Sequence, residues 1–284
     1  MEYVTLNNGV QMPKVGFGVF EIPAEQTAGC VFDALETGYR LIDTAQAYYN
    51  EKEVGDGIQR AIKELGICRK DIFLTTKVWV TEFGYEKTKA SVEESLQKLQ
   101  TDYLDLVLIH QCLSDYYGAY RALEDLYDEG KIRAIGISNF SAERMADIAT
   151  FNRIVPAVNQ VETHLFWQQY NLHEWMVKYN VQHEAWGPLA QHRLKEVLES
   201  PTVKQIADTH GKTPAQVTLR QLIQRGIVVI PKSVHKERMK QNLNIFDFEL
   251  TAAEMEQLKT LDENKSMWAE YDDPMIVQYA MAEE

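Results

Sequence analysis

Short apolar runs alternate with longer amphipathic segments along most of the chain. The runs are rich in β-branched residues and read, in order, VGFGVF, YRLIDTA, IFLTTKV, YLDLVLIH, IRAIGIS, AVNQVE, VQHEAW and IVVIP. Between them, apolar residues recur three and four positions apart, as in Val92-Ser95-Leu96-Leu99, which predicts helices. Strands joined by helix-length crossovers pair in parallel. The pattern therefore predicts an α/β protein built as a single (β/α)8 TIM barrel.

Both ends of the chain add segments to these units. Residues Tyr3 to Met12 predict an N-terminal β-hairpin that turns at Asn7-Asn8-Gly9. The C-terminal tail beyond Leu261 carries Trp268 and other aromatic residues among acids, and we expect it to fold over the barrel mouth. No linker or change in composition divides the chain, so residues 1–284 are expected to form one domain.

A doubly wound nucleotide-binding sheet is the competing α/β architecture. That fold predicts a G-x-G-x-x-G turn between an early strand and a helix. The nearest candidate, Gly16-Phe17-Gly18, lacks the third glycine and precedes any helical segment, so the barrel is favoured. Within the barrel, Ser141 and Thr251 are expected to begin helices with capping boxes, because Ser141-Ala-Glu-Arg and Thr251-Ala-Ala-Glu254 are both interpreted as a hydroxyl residue with an acid three positions on.

The composition limits the classes of partner. The formal net charge of −13 disfavours nucleic acids and anionic membranes. The cysteines Cys30, Cys68 and Cys112 are odd in number and widely spaced, which predicts reduced thiols rather than a disulfide framework or a metal site. The sequence shows neither a secretory leader nor a membrane-length apolar run. We therefore expect a cytoplasmic monomer whose partner is a small molecule.

Polar side chains stand where consecutive predicted strands end. Asp43, Lys77 and His110 occupy three such ends, and Tyr48 follows the first of them. TIM barrels gather their catalytic groups at the carboxyl ends of the strands, so we expect these four residues to meet. A nearby ammonium lowers the pKa of a tyrosine, which makes it a better acid toward a carbonyl oxygen. Each residue alone also fits a structural role, and only their coincidence favours catalysis.

A basic segment follows the last predicted strand. It runs from Ile230 to Arg238 and leads into Asn242. Barrels commonly bind phosphate at this loop, where a short helix begins. Lys232 and Arg238 offer a point charge and a planar fork for a phosphate group, although a solvated basic turn is the alternative interpretation.

Amide and aromatic side chains end further strands. Ser138, Asn139 and Gln160 would bind the carboxamide of a ligand or satisfy loop backbone. Trp186 would stack on a planar ring or fill the top of the barrel. The sequence pattern leaves both alternatives open.

In order and spacing, these motifs resemble the aldo-keto reductase superfamily over essentially the whole chain. The stretches that carry the resemblance are GYRLIDTAQAYYNEKEVG, TTKVW, YLDLVLIHQ, GKIRAIGISNF, NQVE, EAWGPLA and IPKSVHKERMKQNLNIFDFEL. The chain looks closest to the bacterial 2,5-diketo-D-gluconate reductase and prostaglandin F synthase-like branch. The resemblance implies an NADP-dependent oxidoreductase that reduces small aldehydes, diketones, keto sugars and α-keto esters by hydride transfer.

The resemblance also implies roles by position. Tyr48 matches the proton donor, Lys77 and Asp43 match the pair that lowers its pKa, and His110 matches the residue that orients the carbonyl. The residues implied to bind NADPH or NADP+ are Ser138, Asn139, Gln160, Trp186, Gly187, Leu189, Lys232, Ser233, Val234, His235, Arg238 and Asn242. The implied substrate pocket comprises Phe20, Tyr49, Trp79, Cys112, Met267 and Trp268, and no metal is expected.

Several positions depart from the pattern of that branch. His235 stands where arginine is more common, Gln241 replaces a glutamate and Cys112 replaces a proline. His183 and His192 stand where aliphatic or small residues are usual, through sequence drift or a reshaped pocket. The alternative function is a catalytically silent dinucleotide-binding barrel that acts as a redox-sensing or structural subunit. The complete set of catalytic residue types disfavours it.

Overall fold

The computed structural model describes residues 1–268 and 273–282. Its strands are β1 (Tyr3–Thr5), β2 (Gln11–Pro13), β3 (Phe17–Gly18), β4 (Leu41–Asp43), β5 (Phe73–Val78), β6 (Leu106–Ile109), β7 (Ile135–Ser138), β8 (Val158–Glu162), β9 (Gln182–Trp186) and β10 (Val228–Val229). Its helices are α1 (Ala24–Thr37), α2 (Glu51–Leu65), α3 (Tyr85–Lys98), α4 (Tyr116–Asp128), α5 (Ala142–Phe151), α6 (Tyr170–Tyr179), α7 (Leu194–Glu199), α8 (Pro201–His210), α9 (Pro214–Gln224), α10 (Lys236–Leu243), α11 (Ala252–Lys259) and α12 (Met275–Ala282).

The strands β3 to β10 form one parallel sheet in sequential order. The sheet closes on itself, because Gly16 N donates to Val229 O at 2.8 Å and Val229 N donates to Lys14 O at 3.0 Å. Closure removes the unpaired sheet edges that would otherwise be exposed. The predicted (β/α)8 barrel is confirmed, and each predicted run contains one barrel strand.

The predicted N-terminal hairpin closes the amino-terminal end of the barrel. Strands β1 and β2 pair antiparallel, with Val4 opposite Met12. The side chains of Leu6 and Met12 are buried against residues from inside the barrel, among them Leu41 and Phe73. Burial of side chains of this size contributes about 1.5–3 kcal/mol each to the stability of the fold. The hairpin leaves the opposite, carboxyl-terminal end of the barrel uncovered.

Helix starts follow the capping pattern at one predicted position and not at the other. Thr251 begins α11 with a capping box, in which Glu254 N donates to the Thr251 hydroxyl at 3.2 Å and Thr251 N donates to the Glu254 carboxylate at 2.7 Å. The prediction for Ser141 was wrong. Its acid, Glu143, lies only two positions on, and the Ser141 hydroxyl donates to that carboxylate at 2.6 Å instead of capping α5.

The crossover from β9 to β10 is longer than the others. It contains α7 and α8 before α9 packs on the barrel, and α10 is a further short helix after β10. These additional elements surround the carboxyl-terminal end of the barrel and contribute to the cavity described below. Within the described residues, none of the helices has the length and apolar character needed to cross a bilayer.

Candidate active site

A cavity of about 1370 Å³ opens at the carboxyl ends of the barrel strands. Its lining includes strand ends of the barrel, the basic loop after β10, part of α8 and the tail residues Met267 and Trp268. Among the described residues of the tail, Met267 and Trp268 therefore lie at the barrel mouth, as the sequence predicts. The volume exceeds the roughly 300–1,000 Å³ of ordinary ligand pockets, so the cavity has room for a ligand larger than an ordinary small molecule.

Asp43, Tyr48 and His110 line the floor of this cavity, and Lys77 lies directly beneath it. The Lys77 ammonium donates to Asp43 Oδ1 at 2.6 Å and to the Tyr48 hydroxyl at 3.1 Å. Lys77 is fully buried and also donates to the backbone oxygen of Thr44 at 3.0 Å. The His110 ring lies edge-on to the Tyr48 ring, with 5.8 Å between their centroids. The structure thus brings together the four residues that the strand ends predict.

A short 3-10 turn after β4 carries Tyr48 to the cavity. The turn is held by Gln46, whose amide donates to the Ser95 hydroxyl at 3.1 Å and whose oxygen accepts from Trp79 N at 3.0 Å. Tyr49 follows with a φ of 55°, in the left-handed region, and its side chain is 70% exposed. Tyr48 is partly buried and Tyr49 is exposed, so these consecutive tyrosines differ in their exposure to solvent. The sequence-based prediction does not include Gln46, because no motif in the sequence indicates that it holds this turn.

Two opposing effects act on the pKa of Tyr48. Burial raises the pKa of the Tyr48 phenol above its ordinary value. The Lys77 ammonium and its hydrogen bond act to lower that pKa, which is the direction expected of a neighbouring cation, but desolvation is the larger effect. Burial acts to lower the pKa of Lys77, but Asp43 and Tyr48 raise it overall, so the lysine stays charged. A protonated phenol beside a fixed cation results at neutral pH.

His110 is a neutral side chain at the same floor. Burial, assisted by Lys77, lowers its pKa well below the ordinary value. Its Nδ1 atom is buried and has no hydrogen-bond partner among the described residues. The Trp79 ring packs against it, with 4.9 Å between centroids. A neutral imidazole in this setting donates a hydrogen bond to a carbonyl oxygen without contributing a charge.

Gln160 joins two buried carboxylates inside the barrel. Its amide nitrogen donates to Asp43 Oδ2 at 2.8 Å and to Glu184 Oε2 at 2.9 Å. Both amide hydrogens are thereby used, which leaves the amide oxygen as the group available to a donor in the cavity. Burial, and then the charge of Asp43, raises the pKa of Glu184 to about 8. The sequence-based prediction omits Glu184, although an acid inside a barrel strand is itself unusual.

Asn139 organises the neighbouring strand ends. Its backbone is in the left-handed region, which asparagine tolerates better than most residues. Its amide donates to His110 O at 3.1 Å and accepts from the Trp186 indole at 2.8 Å. The Ser138 hydroxyl donates to the backbone oxygen of Gln160 at 2.8 Å. The orientation of Trp186 at the cavity is therefore fixed through Asn139.

The basic segment after β10 carries two cations that have no ion-pair partner among the described residues. Lys232 and Arg238 line the cavity, are exposed, and form no ion pair with any described residue. Lys236 instead forms ion pairs with Asp33 and Glu36 on α1. Lys204 on α8 is a third exposed cation of the lining, which the sequence-based prediction omits. Unpaired cations at one cavity of an acidic protein favour an anionic ligand.

Most of the predicted site residues line this cavity, and three do not. Lys77 lies beneath the floor, where it contacts Tyr48. Tyr49 is exposed to solvent outside the lining. Cys112 packs against the core, where burial raises the pKa of its thiol to about 12. The remaining predicted residues of the lining are Phe20, Asp43, Tyr48, Trp79, His110, Ser138, Asn139, Gln160, Trp186, Gly187, Leu189, Lys232, Ser233, Val234, His235, Arg238, Asn242, Met267 and Trp268.

The two unusual histidines have different surroundings. His192 lines the cavity. His183 lies outside it, fully buried, with Nε2 at 2.7 Å from the Thr163 hydroxyl and Nδ1 at 3.1 Å from His173 Nδ1. Burial lowers the pKa of His173 to about 4 and that of His183 well below its ordinary value. His183 therefore fills a neutral polar cluster between β9 and α6 and does not reshape the cavity.

Comparisons with known proteins agree with this arrangement. The model of the aldo/keto reductase family matches residues 14–263. An uncharacterized oxidoreductase of Bacillus subtilis, YtbE, is 47% identical over 262 residues, which is 92% of each chain. A glyoxal reductase of the same organism is 45% identical over 264 residues, covering 92% of this chain and 93% of the relative. The crystal structure of MGS-M4, an aldo-keto reductase from a Medee basin deep-sea metagenome library, superposes with a TM-score of 0.92 at 43% identity and covers 95% of this chain and 98% of that one.

Proposed function

Because the chain belongs to the aldo/keto reductase family, we propose that it reduces small aldehydes and ketones, α-dicarbonyls among them, to alcohols with NADPH. One observation carries this proposal: Lys77 contacts both Asp43 and the Tyr48 hydroxyl. Tyr48 lines the cavity beside His110, which is neutral. A proton donor, its supporting cation and an uncharged carbonyl ligand are what carbonyl reduction requires of a protein. The glyoxal reductase relative supports dicarbonyls as the first substrates to test.

The cavity residues fit a nicotinamide dinucleotide. The Gln160 amide oxygen suits a carboxamide N–H, and Trp186 offers an aromatic face at the neighbouring strand end. Lys232 and Arg238 suit a phosphate group, with the Ser233 hydroxyl between them in the loop. When it is bound, the reduced nicotinamide supplies a hydride to the substrate.

In the proposed reaction, residues of the chain protonate and orient the carbonyl oxygen of the substrate. Tyr48 donates its phenolic proton to the carbonyl oxygen as the carbonyl carbon accepts a hydride, so the product is a neutral alcohol. Lys77, held by Asp43, stabilises the phenolate that Tyr48 becomes, and solvent then returns the proton. His110 donates a hydrogen bond to the same oxygen and orients the carbonyl.

Carbonyl-dependent consumption of NADPH tests the proposed reaction. We expect glyoxal, methylglyoxal and phenylglyoxal to accelerate the loss of NADPH absorbance, with one alcohol formed per NADPH consumed. Fluorescence titration with NADPH should show binding in the same preparation. Binding without turnover across dicarbonyls, keto sugars and α-keto esters would instead favour the silent dinucleotide-binding barrel.

The proposed preference for NADPH over NADH depends on Lys232 and Arg238, which form no ion pair with a described residue. Arg238→Met is expected to weaken NADPH binding about 10- to 100-fold and to leave NADH binding within about two-fold, because a hydrogen bond to a charged group contributes about 1.5–3 kcal/mol. Dissociation constants for both cofactors measure the effect. Lys236→Met is the matched control, since Lys236 is already paired with Asp33 and Glu36. An equal loss of both cofactors in Arg238→Met would contradict a role in recognising the additional phosphate of NADPH.

A further inference from the structure

Glu162 is a buried carboxylate that the proposed reaction does not use. It is the last residue of β8, is 3% exposed and does not line the cavity. Three donors converge on it, namely the Ser266 hydroxyl at 2.5 Å, Met267 N at 2.8 Å and His164 Nε2 at 2.9 Å. Two of these donors belong to the C-terminal tail. A carboxylate of the barrel wall therefore holds the tail directly.

The histidine in this cluster is a donor to Glu162. Phe166 N donates to His164 Nδ1 at 3.2 Å, so that ring nitrogen is an acceptor and the proton lies on Nε2. Glu162 thus faces three hydrogen-bond donors, and a carboxylate offers only acceptors to them. An amide at this position would direct its own N–H groups at one or more of the donors. The cluster therefore suits a side chain that only accepts hydrogen bonds.

The residues held by Glu162 are those that reach the cavity. Met267 and Trp268 line the cavity, and Trp268 N donates to the Ser266 hydroxyl oxygen at 3.1 Å. The position of the Trp268 backbone therefore depends on Ser266, which is bound to Glu162. Any displacement of this short segment changes the wall of the cavity that the tail provides.

The preceding residues of the tail have their own attachments. Glu263 N donates to Phe166 O at 2.9 Å, and the Glu263 carboxylate accepts two hydrogen bonds from Arg193 at 2.7 and 2.9 Å. Asp262 accepts from Gln168 N at 3.2 Å. A change at Glu162 is therefore expected to release residues 266–268 while residues 262–263 stay attached.

We propose that Glu162 is a positioning residue that fixes the substrate-facing tail segment, Ser266 to Trp268, and thereby determines which carbonyl compounds the cavity accepts. This inference rests on the proposed function for its consequence in catalysis and on the hydrogen bonds for its consequence in structure. The substrates most affected are those with an aromatic or branched body large enough to reach Met267 and Trp268. Small dicarbonyls that contact only Tyr48 and His110 are the least affected.

Glu162→Gln in the full chain tests the attachment of the tail. Lys265 directly precedes the held segment, so trypsin cleavage after Lys265, followed by mass spectrometry, reports its release. We expect cleavage there to accelerate about 5- to 10-fold, as the loss of about one hydrogen bond implies. Glu256→Gln, the same chemical change at an exposed position of α11, is the matched control and should cleave like the wild type.

Kinetics of the same variants test the effect on specificity. We expect KM for phenylglyoxal to rise about 5- to 10-fold in Glu162→Gln, with kcat, KM for glyoxal and the dissociation constant of NADPH within about two-fold of wild type. Ser266→Ala removes one donor to Glu162 and the acceptor of Trp268 N without altering the barrel wall, so it should change cleavage and KM in the same direction. Ser266→Ala also tests the attachment of the tail if Glu162→Gln does not fold.

Two results would overturn the inference. One is unchanged cleavage after Lys265 in both folded variants, which would mean that Glu162 does not hold the tail. The other is a loss of activity that is equal for glyoxal and phenylglyoxal, which would mean a general structural role. If the wild-type chain reduces no carbonyl compound, the proposed function fails by itself, and accelerated cleavage would still support the attachment.

Discussion

Replacing Tyr48 by Phe is expected to lower kcat for glyoxal by about 10²- to 10⁴-fold, the contribution typical of a positioned general acid. The substitution removes only the hydroxyl that contacts Lys77 at 3.1 Å and keeps the ring that packs against Phe20 and His110. The dissociation constant of NADPH should therefore stay within about two-fold of wild type. Steady-state kinetics and fluorescence titration of the same preparation measure the two quantities.

The neighbouring tyrosine provides the control for this variant. Tyr49→Phe removes a hydroxyl from the adjacent position, but its side chain is 70% exposed and lies outside the cavity lining. We expect its kcat to equal that of the wild type. A Tyr48→Phe enzyme that keeps full activity would show that another group protonates the substrate, and the assignment of the donor would then be abandoned.

Replacing Lys77 by Met is expected to damage both activity and stability. The variant leaves Asp43 buried without its cation, in contact with Gln160 and near Glu184. Removal of one partner from a buried ion pair costs about 3–5 kcal/mol of unfolding free energy. The kcat should fall by at least about 10²-fold, because the phenolate left by proton transfer loses its stabilising charge.

Urea denaturation, with kinetics on the folded protein, checks this expectation. The control is Lys195→Met, because Lys195 is 82% exposed and lies 3.9 Å from Glu199 in an exposed ion pair. Exposed pairs contribute about 0–1 kcal/mol, so this variant should unfold at nearly the wild-type urea concentration. If Lys77→Met proves as stable as Lys195→Met, the pair with Asp43 is not a structural element of the barrel interior.

The sequence was most informative about features that are local along the chain. Apolar runs of strand length predict the barrel strands, and the first polar residue after each run predicts the strand end, which is why Asp43 and His110 were identifiable. A parallel barrel brings all these ends to one face, so adjacency in space follows from the topology alone. The basic segment that contains Lys232 and Arg238 was identifiable for the same reason, because it follows the last strand.

Features that depend on register or burial were not predictable from the pattern. Gln46 and Glu184 act through residues far away in the sequence, namely Ser95 and Gln160. The pKa of Tyr48 depends on a balance between desolvation and the Lys77 charge, and residue types alone do not give that balance. Tyr49 differs from Tyr48 because a single left-handed backbone angle turns the chain between them.

The attachment of the tail has a consequence for protein engineering. The four residues proposed to act on the carbonyl group lie on β4, β5 and the segments that follow β4 and β6, whereas the tail follows the last strand of the barrel and meets the end of β8 through Glu162. The tail is therefore a module that can be exchanged between homologous enzymes as a cassette, provided that the donors to this carboxylate are kept. Directed evolution of the described tail residues, with the contacts of Ser266 and Met267 to Glu162 retained, would then explore substrate range while the residues proposed to perform the chemistry stay constant.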